Sequence, residues 1–507
     1  MTKKIPQAVI EVLKKIDIAG FEAFIVGGCV RDLLSDKIPK DWDCATNANP
    51  RQIMEIFPDS FYENEFGTVG VKVEPFINNN LVRPGREHDV IEVTTYRIES
   101  QYSDRRRPDE VKFAQTLTED LSRRDFTMNA IALKITNYKL QITNTASDAR
   151  KKKNCEFEIV DLFDGREDIK NKIIRAVGDA NARFNEDALR ILRAIRFHAQ
   201  LNFEIENETF KALKNNAALI SHVAGERIKD EFVKIILSDN PAEGVDMMQK
   251  TGVLKNIIPE LENGVGIAQN KHHIYTIYQH CLMSLKHCPS RKLEVRLAAL
   301  FHDIAKPQTK RGEGIDATFY NHDHVGARVV EKMLKRLKFS NIIIDKVVLL
   351  VDNHMFYYNP EEVGEASVRK LIKKVGLENV KDLINLRISD RLGSGTPKAK
   401  PYKLRHLEYI IEKVSKDAVS VKMLKINGND LIMELGLAPG PKIGAILDVL
   451  LAEVIEKAEK NNKESLLIRA RQLDGEDLQK LREMAKEKIQ EKKEEDDQEI
   501  KGKHWIK

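Results

Sequence analysis

Short apolar runs mark the first part of the chain, and apolar stripes at three- and four-residue spacing fill most of the rest. The runs FEAFIVGG, GTVGVKVE and VIEVTTYRIE predict strands, so residues 1–134 read as mixed α/β. The start, MTKKIPQAVIEVLKKI, predicts an amphipathic helix, because lysines interrupt its apolar residues as no signal peptide would allow. INNNLVRPGREH predicts a hairpin loop, YSDRRRPDEVKF an Arg-rich mobile loop, and residues 135–157 a polar insertion between strands. From about residue 160 helix dominates. In NEDALRILRAIRFHAQL the apolar residues recur at helical spacing, with Arg190, Arg193 and Arg196 on a second stripe. LRISDRLGSGTPKAKPYK breaks the helical pattern near residue 400, and a further helical region runs to about 472. The almost wholly charged remainder predicts an exposed helix fraying into a tail. No internal repeat is visible.

Composition narrows the classes. The 507 residues are too many for one core, so three or four domains are expected. The 83 basic and 78 acidic residues leave a net charge of only +5, so any RNA-binding surface must come from local patches. Five cysteines (Cys29, Cys44, Cys155, Cys281 and Cys288) form no CxxC pair and are odd in number, which argues against a disulfide framework and for a reducing cytoplasm. No apolar run approaches the ~20 residues that a membrane span requires.

The most informative stretch is FIVGGCVRDLLSDKIPKDWDCAT. Gly27 and Gly28 end an apolar strand and offer backbone N–H groups to a phosphate, with Arg31 close behind. Asp41 and Asp43, two apart on a strand, point to one face while Trp42 packs on the other. A phosphate cradle beside metal-binding carboxylates suits phosphoryl or nucleotidyl transfer. Glu92, in VIEVTTYRIE, is the candidate third carboxylate; an exposed strand residue is the alternative. In LSRRDFTMNAIAL, Arg123, Arg124 and Asp125 read either as a solvated cluster at a helix N-cap or as a triphosphate site. In NEDALR, Glu186-Asp187 and Arg190 lie three or four apart, so Asp187 and Arg190 are expected to share a helix face. They read as an intrahelical ion pair or as a base reader. In the second role the carboxylate accepts from the amine of cytosine or adenine and Arg donates to the ring nitrogen, whereas guanine and uracil present a carbonyl instead.

In order, GG-x-VRD and D-x-D-x-AT resemble the opening signature of the polymerase-β-like nucleotidyltransferases. Within them the chain is similar to the class II tRNA nucleotidyltransferases, which include the CCA-adding enzymes and the bacterial poly(A) polymerases. RRDFTMNA matches that family's triphosphate and ribose motif, and ED-x-x-R at Glu186–Arg190 matches its protein-template motif, with Arg193 and Arg196 implied as supports. The resemblance implies Mg²⁺ on Asp41 and Asp43, tRNA as partner, and CTP and ATP as substrates. Poly(A) addition is the alternative product. A rival of another class is a phosphohydrolase whose head is only a nucleotide sensor; the intact Asp41 and Asp43 argue against it.

A further constellation comprises His280, His302-Asp303, His322, His354 and Asp390. It resembles the HD phosphohydrolase domain. That likeness implies a divalent transition metal or Mg²⁺ on His280, His302, Asp303 and Asp390, and a second site completed by His322 and His354, with His324 as the alternative to His322. Thr276 stands where related chains often carry Asp. Finally, Pro439-Gly440-Pro441 opens a helix that resembles the family's tRNA-elbow contact, with Lys422, Lys425 and Lys442 as a basic surface. The expected architecture is an α/β nucleotidyltransferase head (1–160), an all-α neck (161–262), an HD domain (263–400), a helical tRNA-binding tail (401–475) and a charged tail (476–507).

Overall fold

The structure, a computed structural model, describes residues 5–64, 67–75, 88–99, 111–137, 156–270, 274–395, 400–416 and 424–506. The expected hairpin loop, most of the Arg-rich loop, the middle of the insertion, Cys155 and Lys422 lie outside them. The chain divides into two compact units, Met1–His287 with Arg291–Val348, and Cys288–Ser290 with Leu349–Lys507. The expected boundaries at 160, 262 and 400 fall inside these units.

The first unit opens with the Gln7–Ile18 helix and a seven-stranded sheet. Its strands, with a separate two-stranded ribbon, are β1 (Ala23–Val26), β2 (Asp43–Thr46), β3 (Ser60–Asn64), β4 (Thr68–Val73), β5 (Asp89–Thr95), β6 (Arg97–Glu99), β7 (Val111–Phe113), β8 (Ile131–Asn137) and β9 (Glu156–Asp161). The sheet order is β3-β4-β5-β2-β1-β8-β9. Only β2 and β5 run parallel; the other neighbours are antiparallel. β1 is buried along its whole length, which is why AFIV reads as a continuous apolar run rather than an alternation. VIEVTTYRIE is not one strand: Tyr96 separates β5 from β6. The insertion is shorter than expected, because β8 runs to Asn137 and β9 begins at Glu156.

Helix entry points in this unit carry their own signals. Asn49 with Gln52, and Thr116 with Glu119, form capping boxes, in which each side chain satisfies the other residue's backbone N–H. Thr276 does the same with Gln279 at the start of the Ile277–Lys286 helix, so its role there is to begin the helix that carries His280.

The second unit is helical. Leu431, Ile446, Leu450 and Leu466 centre one core, and Val368, Ile384, Leu407 and Ile410 another. The expected fraying tail is instead a 27-residue helix, Leu478–His504. Leu481 and Ala485 pack into the first core and Ile500 into the second. Lys503 and His504 both reach Glu412 at 2.8 Å, and Tyr409 donates to Asp497. Sparse apolar residues at the two ends hold an otherwise polar helix, a pattern that composition averaging hides. No helix among the described residues is long and apolar enough to cross a membrane.

Candidate active site

The parallel pairing of β2 with β5 builds the acidic side of a cleft. Asp43 is the register partner of Glu92, and the Glu92 N–H donates to the Trp42 carbonyl at 3.2 Å. Trp42 is buried while Asp41 and Glu92 are exposed, so the backbone alternation turns the carboxylates outward as the spacing predicts. Asp41, Asp43 and Glu92 all line one cavity of about 1040 Å³. An all-oxygen donor set of this kind suits Mg²⁺.

Gly27 sets the turn between β1 and the Gly28–Leu34 helix. Its φ of +76° lies in the left-handed region, and a Cβ there would stand 3.1 Å from Arg124 Nη1 and 3.6 Å from Asp43 Oδ2. Glycine thus keeps open the gap between the cation and the carboxylate that a phosphate would enter. Arg31, on that helix, donates to Asn129 Oδ1 at 2.9 Å and pairs with Asp32 at 2.7 Å.

The opposite wall is cationic. Arg123 and Arg124 follow the Leu117–Ser122 helix; they sit at its C-terminal end rather than at the N-cap the sequence suggested. Both donate to Asp120, Arg123 at 2.8 Å and Arg124 at 2.9 Å. Asp120 is buried at 1% exposure. Burial pushes its carboxyl up, but Arg124 and Arg123 outweigh that and hold it below its ordinary value. Sequence reading missed Asp120, although its place three and four residues before the two arginines was the available signal.

Asp125 is not on the phosphate wall as a free acid. Its Oδ1 accepts from the Phe126 N–H at 2.8 Å and from Asn129 Nδ2 at 3.1 Å, and its Oδ2 accepts from Arg193 Nε at 2.7 Å. Burial would raise it; Arg193 and Asn129 bring it down to about 2. Arg196 pairs with buried Glu231 at 2.9 Å. Burial, helped by Arg193, lowers Arg196 to about 10, still a cation at neutral pH.

Asp187 and Arg190 do not share a continuous helix. One helix, Ala180–Glu186, ends before Asp187 and the next, Leu189–Leu201, begins after it. Asp187 therefore sits in extended backbone at the break, with φ −138° and ψ 104°. Its carboxylate accepts from the Leu189 N–H at 3.0 Å and from Arg227 at 2.9 Å. Arg190 pairs with Glu186 at 2.7 Å and donates to the Arg123 carbonyl at 2.9 Å. Both line the cleft with Arg193 and Arg196. Glu186 orients Arg190, and Arg227 orients Asp187. Arg227 lies 40 residues away in sequence, and no local pattern points to it.

Thiol chemistry is absent from this wall. Burial, with Asp43 alongside, pushes Cys29 up to about 12, and burial raises Cys44 too.

The first unit holds a second cluster, fully buried. His280 Nε2 lies 3.0 Å from His302 Nε2 and 3.1 Å from Asp303 Oδ2; His322 Nε2 lies 3.2 Å from Asp303 Oδ1. His302 Nδ1 faces the Ala299 carbonyl at 3.0 Å and His322 Nδ1 the Phe319 carbonyl at 2.7 Å. A carbonyl only accepts, so Nδ1 carries the proton and each Nε2 turns its lone pair into the cluster, the tautomer a metal requires. Lys306 Nζ stands 2.6 Å from Asp303 Oδ2, a contact that sequence reading missed. Burial would raise Asp303; His302 and Lys306 hold it well below the usual range. His324 is exposed and leans toward Asp323 at 3.9 Å, whereas His322 lies in the buried cluster. His354 and Asp390 belong to the second unit. There His354 Nδ1 faces the Val351 carbonyl at 2.7 Å, and Asp390 pairs with Arg387 at 2.7 Å. Also in that unit, Gly440 and Pro441 start the Pro441–Glu456 helix as read, but Lys442 is turned onto Asp474 at 3.1 Å.

Comparison with known proteins bears on the family and the fold. Residues 23–175 match the poly A polymerase head domain, 202–264 the probable RNA and SrmB-binding site of polymerase A, and 313–470 the putative tRNA nucleotidyltransferase domain 2. The chain is 32% identical over 476 residues to the CCA-adding enzyme of Lactococcus lactis, covering 93% of this chain and 99% of that one. It is 33% identical over 467 residues to that of Ligilactobacillus salivarius, covering 91% and 95%. The structure is similar to the Bacillus stearothermophilus CCA-adding enzyme solved in complex with CTP, with a TM-score of 0.56 at 26% identity over 92% of this chain and 98% of that one.

The depressed Asp125 carboxyl makes a pH prediction. Its pKa falls from an ordinary 3.8 to about 2 on folding, so its contribution is present above 3.8 and is lost as pH falls through about 2. The stability gap between wild type and Asp125→Asn, measured by denaturant unfolding, should therefore narrow from about pH 5 to about pH 2. A gap that stays constant over that range contradicts the assignment.

Proposed function

The chain belongs to the CCA-adding enzymes, the tRNA nucleotidyltransferases that need no nucleic-acid template, and from that premise we propose that it builds the CCA end of tRNA from CTP and ATP. At each addition the tRNA 3′-hydroxyl attacks the nucleotide α-phosphate and pyrophosphate leaves. The observation that carries this reading is one cleft holding an oxygen-donor trio, a wall of anchored arginines and a carboxylate–guanidinium pair. Likeness over almost the full length to CCA-adding relatives favours CCA over poly(A) as the product. Work on tRNA with CTP and ATP is consistent with a cytoplasmic enzyme.

Asp41, Asp43 and Glu92 would hold Mg²⁺, which when bound lowers the pKa of the attacking hydroxyl and stabilises the leaving pyrophosphate. The remaining work belongs to the chain's own side chains. Arg123 and Arg124, fixed by Asp120, receive the triphosphate in the gap that Gly27 keeps open, with Gly28 and Arg31 beside it. Asp187 and Arg190 read the base edge. An ionised carboxylate has about four acceptor sites, so the two bonds to Leu189 and Arg227 orient Asp187 and leave acceptors for an exocyclic amine. Arg193 and Arg196 brace this wall through Asp125 and Glu231.

The buried histidine cluster supports a second, separable activity. His280, His302, Asp303 and His322 offer a mixed imidazole and carboxylate set suited to Mn²⁺, Ni²⁺, Co²⁺ or Mg²⁺. The activity that fits is phosphodiester or phosphomonoester hydrolysis at RNA ends, including 2′,3′-cyclic phosphates. Removing such a phosphate exposes the hydroxyl that the cleft extends.

Two experiments test these readings. Asp41→Asn and Asp43→Asn should each reduce incorporation of CTP and ATP at least about 10³-fold, the scale of losing electrostatic stabilisation of a developing charge, with tRNA affinity nearly unchanged. Near-normal incorporation by either variant removes the metal assignment. The His302→Ala/Asp303→Ala variant should lose hydrolysis of a generic phosphodiester in Mn²⁺, Ni²⁺ or Co²⁺ and still extend tRNA with a free 3′-hydroxyl. If the Asp41→Asn/Asp43→Asn protein binds none of these metals, the cluster is only structural.

A further inference from the structure

The second unit contains a cavity of about 560 Å³ that none of these roles uses. Its walls carry Phe356, Tyr357, Tyr358 and Tyr402, and its lining includes Arg387, Arg391 and Lys403. Among the described residues three cations and no carboxylate line it. Two of the rings stand largely in water: Tyr357 is 68% exposed and Tyr402 48% exposed. Large rings gathered at one apolar opening mark a surface that something covers.

The rings are held by their edges. Tyr357 Oη donates to Glu362 Oε2 at 2.6 Å, and Tyr358 Oη is hydrogen-bonded to His406 Nδ1 at 2.6 Å. His406 lies against Tyr358, Tyr402 and Tyr409, with ring centres 6.0, 5.8 and 5.5 Å away. Burial keeps His406 below its ordinary pKa, so at neutral pH it stays uncharged beside Tyr358. Arg387 stands 6.0 Å from the centre of the Phe356 ring and is braced from outside the cavity by Asp390. Hydrogen bonds to ring edges fix orientation and leave ring faces for stacking. Tyr402 and Lys403 also begin the 15-residue helix Tyr402–Lys416, whose first N–H groups add positive potential at the same rim.

Oriented aromatic faces, an apolar floor and three cations in the lining match the chemistry of a single unstacked nucleotide. The base is apolar on its faces, and its phosphate is anionic. The volume lies within the range of small-ligand pockets, roughly 300–1,000 Å³. We propose that this pocket takes one unpaired base of the RNA substrate, stacked against Tyr357 and Tyr402, with its phosphate on Lys403 and Arg391. The proposal rests on the reading of tRNA as substrate and adds a base-capturing subsite in the second unit. Stacking tolerates any base, so the pocket contributes affinity and register on the RNA and leaves the choice of nucleotide to the cleft.

The test uses the full chain with the paired substitutions Tyr357→Ala/Tyr402→Ala and Tyr357→Phe/Tyr402→Phe. Both residues are exposed, so the fold should tolerate either pair; thermal melting checks this. Direct binding to tRNA lacking its CCA end, at fixed salt, and steady-state incorporation are measured together. The alanine pair should weaken tRNA binding about 10-fold, as loss of one base–aromatic stack does, raise KM for tRNA, and leave kcat and the KM for CTP unchanged. The phenylalanine pair keeps the rings but loses the Tyr357 Oη bond to Glu362, and should bind clearly better than the alanine pair. An alanine pair that binds normally overturns the pocket, as does a phenylalanine pair that weakens binding as much as alanine. A wild-type protein that binds no tRNA overturns both this subsite and the function on which it rests, so the two failures are distinguishable.

Discussion

The cleft depends on a single electrostatic constraint: six of the arginines that line it, Arg31, Arg123, Arg124, Arg190, Arg193 and Arg196, must face one cavity before any anion arrives. Their mutual repulsion in a partly dry site would spread them apart or disorder them. Each is instead held by an acid: Asp32, Asp120, Glu186, Asp125 or Glu231. Asp120 matters most, because one buried carboxylate holds two guanidinium groups side by side. These pairs contribute order more than stability, since desolvating both partners offsets much of their attraction. Under the proposed function that order matters: donors already aimed at the phosphate's proposed position would require no reorganisation at the moment of reaction.

The same logic shapes the buried histidine cluster by a different means. There backbone carbonyls set the tautomers of His302 and His322, and Lys306 neutralises Asp303. In both places the visible functional group is only half of the device. The other half is a partner that fixes which atom points inward and in which protonation state.

That division also explains what the sequence revealed. Gly27-Gly28, Asp41, Asp43, the RRD run and the histidine–aspartate doublet were legible because turn chemistry and side-chain alternation act over a few residues. Their supports were less so. Asp120 could have been found by its helical spacing, but Glu231 and Arg227 reach the cleft only through the packing of distant helices. The Asp187–Arg190 spacing misled, because helical periodicity continues through the sequence while the backbone breaks at Asp187. The charged C-terminal segment misled for a related reason: Leu481, Ala485 and Ile500 anchor a 27-residue helix whose average composition is that of a solvated tail.

The central claim is that the break at Asp187 turns a carboxylate into the cleft to read the base edge, a role that neither a helix-face ion pair nor a simple cap would perform. The direct measurement is the ratio of UTP and GTP to CTP and ATP incorporated on tRNA lacking its CCA end, for wild type and Asp187→Ala. Loss of the reading carboxylate should raise that ratio by about 10-fold or more, the scale of one hydrogen-bonded base contact. An unchanged ratio, even with slower total incorporation, would show that Asp187 serves only to hold Arg227 and the helix break.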